Sequence, residues 1–172
     1  MTGPAADPEA GPDAGQDAAS GPGSDAAADT APNPGKDDSV DARRRLLLRE
    51  EVGRFRARES RRVFDSSVHV GELAGDRTGF VLRAQDLPAM DAALRADIVS
   101  RLVEQSPAQW RTAWLVRPGT PEQHDLDLQW LSAFHIAFGA HGRPLDACYV
   151  ITRSGWRDLS TDSHQVWARL RL

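Results

Sequence analysis

Cysteine is nearly missing from this chain of 172 residues, in which Cys148 stands alone. A single cysteine excludes an intramolecular disulfide and every zinc site built from several cysteines. The sequence also lacks an apolar run near the about 18–20 residues of a membrane-spanning helix, and its first residues have neither the basic nor the apolar region of a secretory signal. We therefore expect a soluble, cytoplasmic protein with no membrane partner and a core that forms without disulfides.

Large apolar side chains are missing from residues 1–41, which contain no Leu, Ile, Phe, Trp or Tyr. Such a segment buries too little surface to offset the entropy of ordering its backbone, so the sequence predicts a disordered acidic tail over 1–41. Nine acidic residues against Lys36 give this tail a net charge of −8, whereas residues 42–172 carry 20 Arg against 16 acidic residues, a net charge of +4. A single domain of ordinary size is predicted over 42–172. Its positive charge suggests an anionic partner or loose contact with the tail, although the tail could also serve solubility alone.

The first predicted helix covers residues 40–62 and is unusually rich in arginine. A narrow apolar stripe of Leu48, Val52 and Phe55 lies at helical spacing among nine arginines. With so few apolar anchors, we expect this helix to dock weakly or along one edge of the domain.

Two further helices are predicted from local start signals. Asp86 is the expected N-cap of an amphipathic helix that extends to about Gln105. The next helix is expected to begin at Thr120 and to reach about Phe138, because residues 120–123 (Thr-Pro-Glu-Gln) have the pattern of a capping box with proline at its first position.

Short apolar runs predict the strands. A Gly-Trp-Arg-Asp loop is expected at 155–158, and the last segment, which alternates in polarity, is interpreted as a strand rather than a short helix. The predicted strands are 63–70, 79–83, 113–116, 147–151 and 165–172. Strands and helices alternate between 79 and 151, which favours right-handed crossovers. The sequence therefore predicts an α/β domain with three helices and a mainly parallel or mixed sheet of four or five strands.

Arginine follows each of the three central predicted strands, at Arg83, Arg117 and Arg153. If these strands run in one direction, the three guanidinium groups arrive at the carboxyl edge of the sheet, where open α/β sheets bind ligands. Arginine presents forked donors that suit phosphate and carboxylate. We therefore predict an anion-binding site at this edge, with Arg157 beside it and Trp156 as a partner-binding residue. The alternative is that these arginines only mark solvated strand ends, since arginine is abundant throughout the domain.

No cofactor and no metal are predicted. The chain lacks a Walker A loop, a Gly-x-Gly-x-x-Gly turn and a Gly-x-Ser-x-Gly elbow, and its histidines do not have the spacing of metal ligands. An accessory or regulatory module that binds an anionic small molecule or protein partner is therefore favoured over a catalyst. One alternative is a small enzyme that uses His124 or His141 as its acid or base.

Another alternative is an adaptor that binds an acidic protein or nucleic acid through the arginines of 43–62. Nucleic acid is disfavoured because Glu50, Glu51 and Glu59 interrupt these arginines and the whole chain is acidic. The sequence predicts no oligomeric state.

Overall fold

A mixed sheet of six strands forms the centre of the computed structural model, which describes residues 34–168, with side chains from residue 39 onward. Residues 1–33 of the tail predicted over 1–41 therefore lie outside the described residues. The strands are β1 (Ser66–Gly71), β2 (Arg77–Leu82), β3 (Thr112–Val116), β4 (Ala147–Ile151), β5 (Gly155–Asp158) and β6 (His164–Val166). The helices are α1 (Pro34–Arg58), α2 (Ala92–Glu104) and α3 (Asp125–Ala140), with a 3₁₀ turn at Leu87–Ala89. No helix of this described part is long and apolar enough to span a membrane.

The strand order is β2-β1-β3-β4-β5-β6. Strand β1 pairs antiparallel with both β2 and β3, and β3 pairs parallel with β4, so β2, β3 and β4 run in one direction as predicted. The α/β class is confirmed. The sheet is mixed rather than mainly parallel, and it has one strand more than predicted, because residues 155–158 form β5 on the edge of β4 instead of a loop.

Helices α2 and α3 cover one face of the sheet. Residues of β3 alternate between the faces: Ala113 and Leu115 belong to the core under α2 and α3, whereas Trp114 and Val116 belong to the core under α1. Cys148 lies fully buried on the α2 and α3 side, and burial raises the pKa of its thiol, which fits a structural role.

Helix α1 covers the opposite face. Its Leu48 and Val52 are almost completely buried against the sheet, so two of the predicted apolar anchors are part of the core. Its narrow stripe is sufficient because it lies over Trp114, Tyr149 and Trp156, whose large rings provide the complementary apolar surface.

All three helices differ in their ends from the sequence prediction. Helix α1 covers 34–58 rather than 40–62. The N-cap of α2 is Asp91, whose side chain accepts the backbone N–H of Leu94, and the predicted cap Asp86 instead precedes the 3₁₀ turn. Helix α3 begins after His124 rather than Thr120, because the segment before it is held as a loop by hydrogen bonds described below. The last strand, β6, is short and exposed, and residues 169–172 of the predicted strand lie outside the described part.

Candidate functional site

Arg117 is buried at the end of β3 and forms an ion pair with Asp127 of α3. Its Nε and Nη2 each donate to a carboxylate oxygen of Asp127 at 2.7 Å, and the two side chains are 4% and 0% exposed. The remaining N–H groups donate to backbone carbonyls of Pro118, Thr120 and Glu122 at 3.2, 2.9 and 2.6 Å. All five N–H donors are thus used within the protein. Arg117 therefore holds the loop between β3 and α3, which we call the 118–123 loop, in its observed conformation.

Arg157 supports the same loop. Its Nε donates to the carbonyl of Pro121 at 2.7 Å, and its Nη1 forms an ion pair with Asp162. The preceding Trp156 is only 4% exposed and packs its ring edge against Tyr149, with 6.3 Å between the ring centroids. Trp156 is therefore mainly a core residue.

Arg83 lies apart from the other two strand-end arginines. Strand β1 separates β2 from β3, so the backbones of β2 and β3 are about 10 Å apart. The Arg83 side chain is exposed. Arg83 therefore lies at the same carboxyl edge as Arg117 and Arg153, with one strand between its own strand and that of Arg117.

Arg153 borders a cleft at the carboxyl ends of β3 and β4. Its Nη1 donates to the carbonyls of Ser60 and Arg61 at 2.9 and 3.2 Å, which fixes the connection between α1 and β1. Its Nε is buried and has no hydrogen-bond partner. The Nη1 of Arg153 thus stabilises the connection between α1 and β1, whereas its Nε donates to no group of the described residues.

The cleft, which we call the basic cleft, has a volume of roughly 520 Å³. The described residues that line it include three arginines and no acidic residue. They are Arg56, Arg62, Phe64, Gly119, Thr120, Arg153, Ser154, Trp167 and Ala168. These residues come from the end of α1, the segment before β1, the 118–123 loop, the turn between β4 and β5, and the segment after β6. Gly119 has a φ of +94°, which suits glycine and allows this loop to turn at the edge of the cleft.

Two more arginines of the basic cleft have donors without partners. Nη1 of Arg56 is buried and has no hydrogen-bond acceptor, and Arg62 is exposed and forms no ion pair or hydrogen bond with the described residues 39–168. The Thr120 and Ser154 hydroxyls add neutral donors beside the three guanidinium groups. A lining so rich in donors is complementary to a ligand rich in acceptors, and its charge favours an anion.

Glu59 is an acidic residue of the segment between α1 and β1, next to the cleft. Arg61 donates to both of its carboxylate oxygens, at 2.9 and 2.7 Å, and these hydrogen bonds are the main cause that lowers the pKa of Glu59 to about 2. The charge of Arg153 lowers this pKa further. Glu59 is therefore ionised and paired with Arg61 rather than with an arginine that lines the basic cleft.

Sequence reasoning identified Arg153 but not Arg56 or Arg62 for this site. Both belong to the predicted arginine-rich helix, which was a binding surface only in the adaptor alternative, and only the tertiary structure brings the end of this segment to the carboxyl edge of β4. A local signal did exist: Phe64 is apolar and lies two residues after Arg62, which indicates that this segment returns to the core.

The two histidines of the enzyme alternative do not line the basic cleft. Nε2 of His141 lies 2.8 Å from Oγ of Ser100, and His124 is the N-cap of α3. Within residues 39–168, no hydrogen bond joins a histidine side chain to a carboxylate, and no group of three potential metal ligands is found.

Comparisons of the chain with protein-family models, with curated proteins and with solved structures find no match. Function therefore has to be inferred from the geometry and charge of the cleft.

Proposed function

We propose that this protein is an accessory module that binds a small anionic ligand in the basic cleft. The observation that carries this proposal is the pair of buried, unpartnered donors, Nη1 of Arg56 and Nε of Arg153. A buried donor without a partner costs about 1–3 kcal/mol, and more when the group is charged. Phosphate or carboxylate oxygens bound in the cleft would accept hydrogen bonds from the guanidinium groups that line it.

The charge of the cleft supports the same ligand class. Arg56, Arg62 and Arg153 line one cleft, and none of the described residues that line it is acidic. The like charges of these three guanidinium groups repel one another, and the repulsion is stronger where protein atoms exclude water. An anion reduces this repulsion, so the free energy of binding should include a favourable electrostatic contribution that weakens as salt is added.

Phosphate binding to the purified protein tests the proposal. Isothermal titration calorimetry with inorganic phosphate in Tris buffer is compared for the wild type and the Arg62→Gln variant. Arg62 is exposed and forms no contact that the fold needs, so this variant should fold normally. Loss of one charged hydrogen bond should weaken phosphate binding by on the order of tenfold.

Arg83→Gln is the matched control, because Arg83 is an exposed arginine at the same edge but outside the cleft. It should leave the affinity within about twofold of the wild type, as expected for a charge that is largely screened. If the two substitutions weaken phosphate binding equally, the affinity depends only on the net charge of the protein and not on the cleft. If the wild type gives no measurable heat of binding, the proposal is wrong.

A further inference from the structure

We infer that the ligand of the basic cleft carries a flat aromatic group joined to its anionic group, and that Trp167 receives the aromatic group. This inference rests on the proposed function and adds the ligand's second half. It is based on a neighbouring apolar groove, which has the lining residue Trp167 in common with the basic cleft.

The apolar groove lies between α1 and β6 and has a volume of roughly 400 Å³. Its lining is mainly apolar, in contrast to that of the basic cleft. The residues are Ala42, Arg45, Leu46, Arg49, Trp156, Gln165 and Trp167. Leu46 is 67% exposed there, so the groove presents an apolar side chain that the fold itself does not cover.

Trp167 lines both the basic cleft and the apolar groove. Its backbone N–H donates to the carbonyl of Ser154 at 2.7 Å, which attaches it to the turn that also carries Arg153. The backbones that carry the indole and that guanidinium are thus held next to each other. An anionic group bound by Arg153 would place whatever is attached to it beside Trp167.

The basic cleft and the apolar groove together extend over a longer distance than phosphate or a small carboxylate can span. Leu46 and Arg56 are ten residues apart on α1, which corresponds to about 15 Å along the helix axis. A phosphate or carboxylate occupies only the arginine end of this distance. The ligand that fills both sites therefore has an apolar part that continues past Trp167.

An aromatic ring fits the groove better than an aliphatic chain does. Trp167 offers the face or edge of an indole, and aromatic pairs add stabilisation beyond the area they bury. The stem of Arg45 also borders the groove, and guanidinium groups stack on aromatic faces as well as pairing with anions.

Three phosphate monoesters test this inference by calorimetry: methyl phosphate, butyl phosphate and phenyl phosphate, which share one anionic group. We expect phenyl phosphate to bind on the order of tenfold more tightly than methyl phosphate, and more tightly than butyl phosphate. Trp167→Ala should remove this preference and leave the affinity for methyl phosphate unchanged, which also shows that the cleft is still folded.

Trp110→Ala is the control, since Trp110 is another partly buried tryptophan that lines neither site. It should retain the preference for phenyl phosphate. Equal affinity for phenyl and butyl phosphate, or a preference that survives Trp167→Ala, would overturn the inference while leaving anion binding in place. Failure of all three esters and of inorganic phosphate to bind would remove the proposed function itself.

Discussion

Replacing Asp127 with asparagine tests the most deeply buried ion pair of the fold. Asparagine has nearly the same size but no charge, so the Arg117 guanidinium would remain buried without a compensating carboxylate. Asp127 accepts both Arg117 donors and also the backbone N–H of His124, at 2.8 Å, so the substitution disturbs three hydrogen bonds at 0% exposure. Breaking one partner of such a pair typically costs about 3–5 kcal/mol.

This cost should be measured as the change in the free energy of unfolding in urea. A domain of this size has a total stability of about 5–15 kcal/mol, so Asp127→Asn should lose a large share of it. Asp125→Asn is the control, because Asp125 is in the same first turn of α3 but is exposed. It should lose only the interaction of a carboxylate with the helix N-terminus, about 0.3–1 kcal/mol.

A second consequence concerns the basic cleft. The 118–123 loop is held by Arg117, so the folded fraction of Asp127→Asn should bind phosphate more weakly than the wild type. If Asp127→Asn and Asp125→Asn unfold within about 1 kcal/mol of each other, the ion pair does not have the structural role assigned to it, since a buried pair should cost far more than an exposed carboxylate.

Two further predictions concern a buried histidine and a pair of glycines. Burial, followed by the charges of Arg77 and Arg58, lowers the pKa of His69 from 6.5 to about 4. The unfolded chain therefore binds the proton more readily than the folded protein does. As the pH falls from about 7 to 4, the free energy of unfolding should decrease by up to about 3 kcal/mol. Urea titrations across this range should show that His69→Asn flattens the pH dependence, and an unchanged slope would contradict the buried, neutral state of this imidazole. Gly155→Ala should lower stability by about 2 kcal/mol or more, because its Cβ would collide with the carbonyl oxygen of Gln165 on β6. Gly139→Ala should instead raise stability by up to about 1 kcal/mol, because a Cβ at this position of α3 meets open space. If thermal unfolding shows Gly155→Ala to be the more stable of the two variants, the close approach of β5 and β6 at Gly155 is wrong.

The central strands could be predicted because their sequences are decisive on their own. Residues 113–116 and 147–151 are short apolar runs between polar segments, and their alternation with two helices specifies crossover connections. These features gave the common direction of β2, β3 and β4. They could not show that β1 lies between β2 and β3, because an antiparallel hairpin can pair on either side of its neighbours.

The fifth strand was missed because its four residues have no apolar pattern. Gly155, Arg157 and Asp158 are typical of a turn, and the segment becomes a strand only by pairing with the edge of β4. Trp156 was the signal that could have indicated a buried segment, since a tryptophan is rarely left in water when a core is available.

Arg117 shows why charged site residues are hard to assign from sequence. Its burial depends on Asp127, which reaches it only because α3 begins at Asp125. The capping box predicted at Thr120 would have placed that carboxylate elsewhere on the helix. Asp127 nevertheless stands between Leu126 and Leu128 in an apolar helix, and an acid in such surroundings indicates a buried partner.

The most direct test of the account is a titration of the ¹⁵N-labelled protein with inorganic phosphate, followed by NMR. The account predicts saturable shifts of the Arg153 side-chain Nε–H and of the backbone amides of Gly119 and Ser154, while the Arg83 signals change little. Shifts of similar size around Arg83, or none at the basic cleft at saturating phosphate, would contradict it.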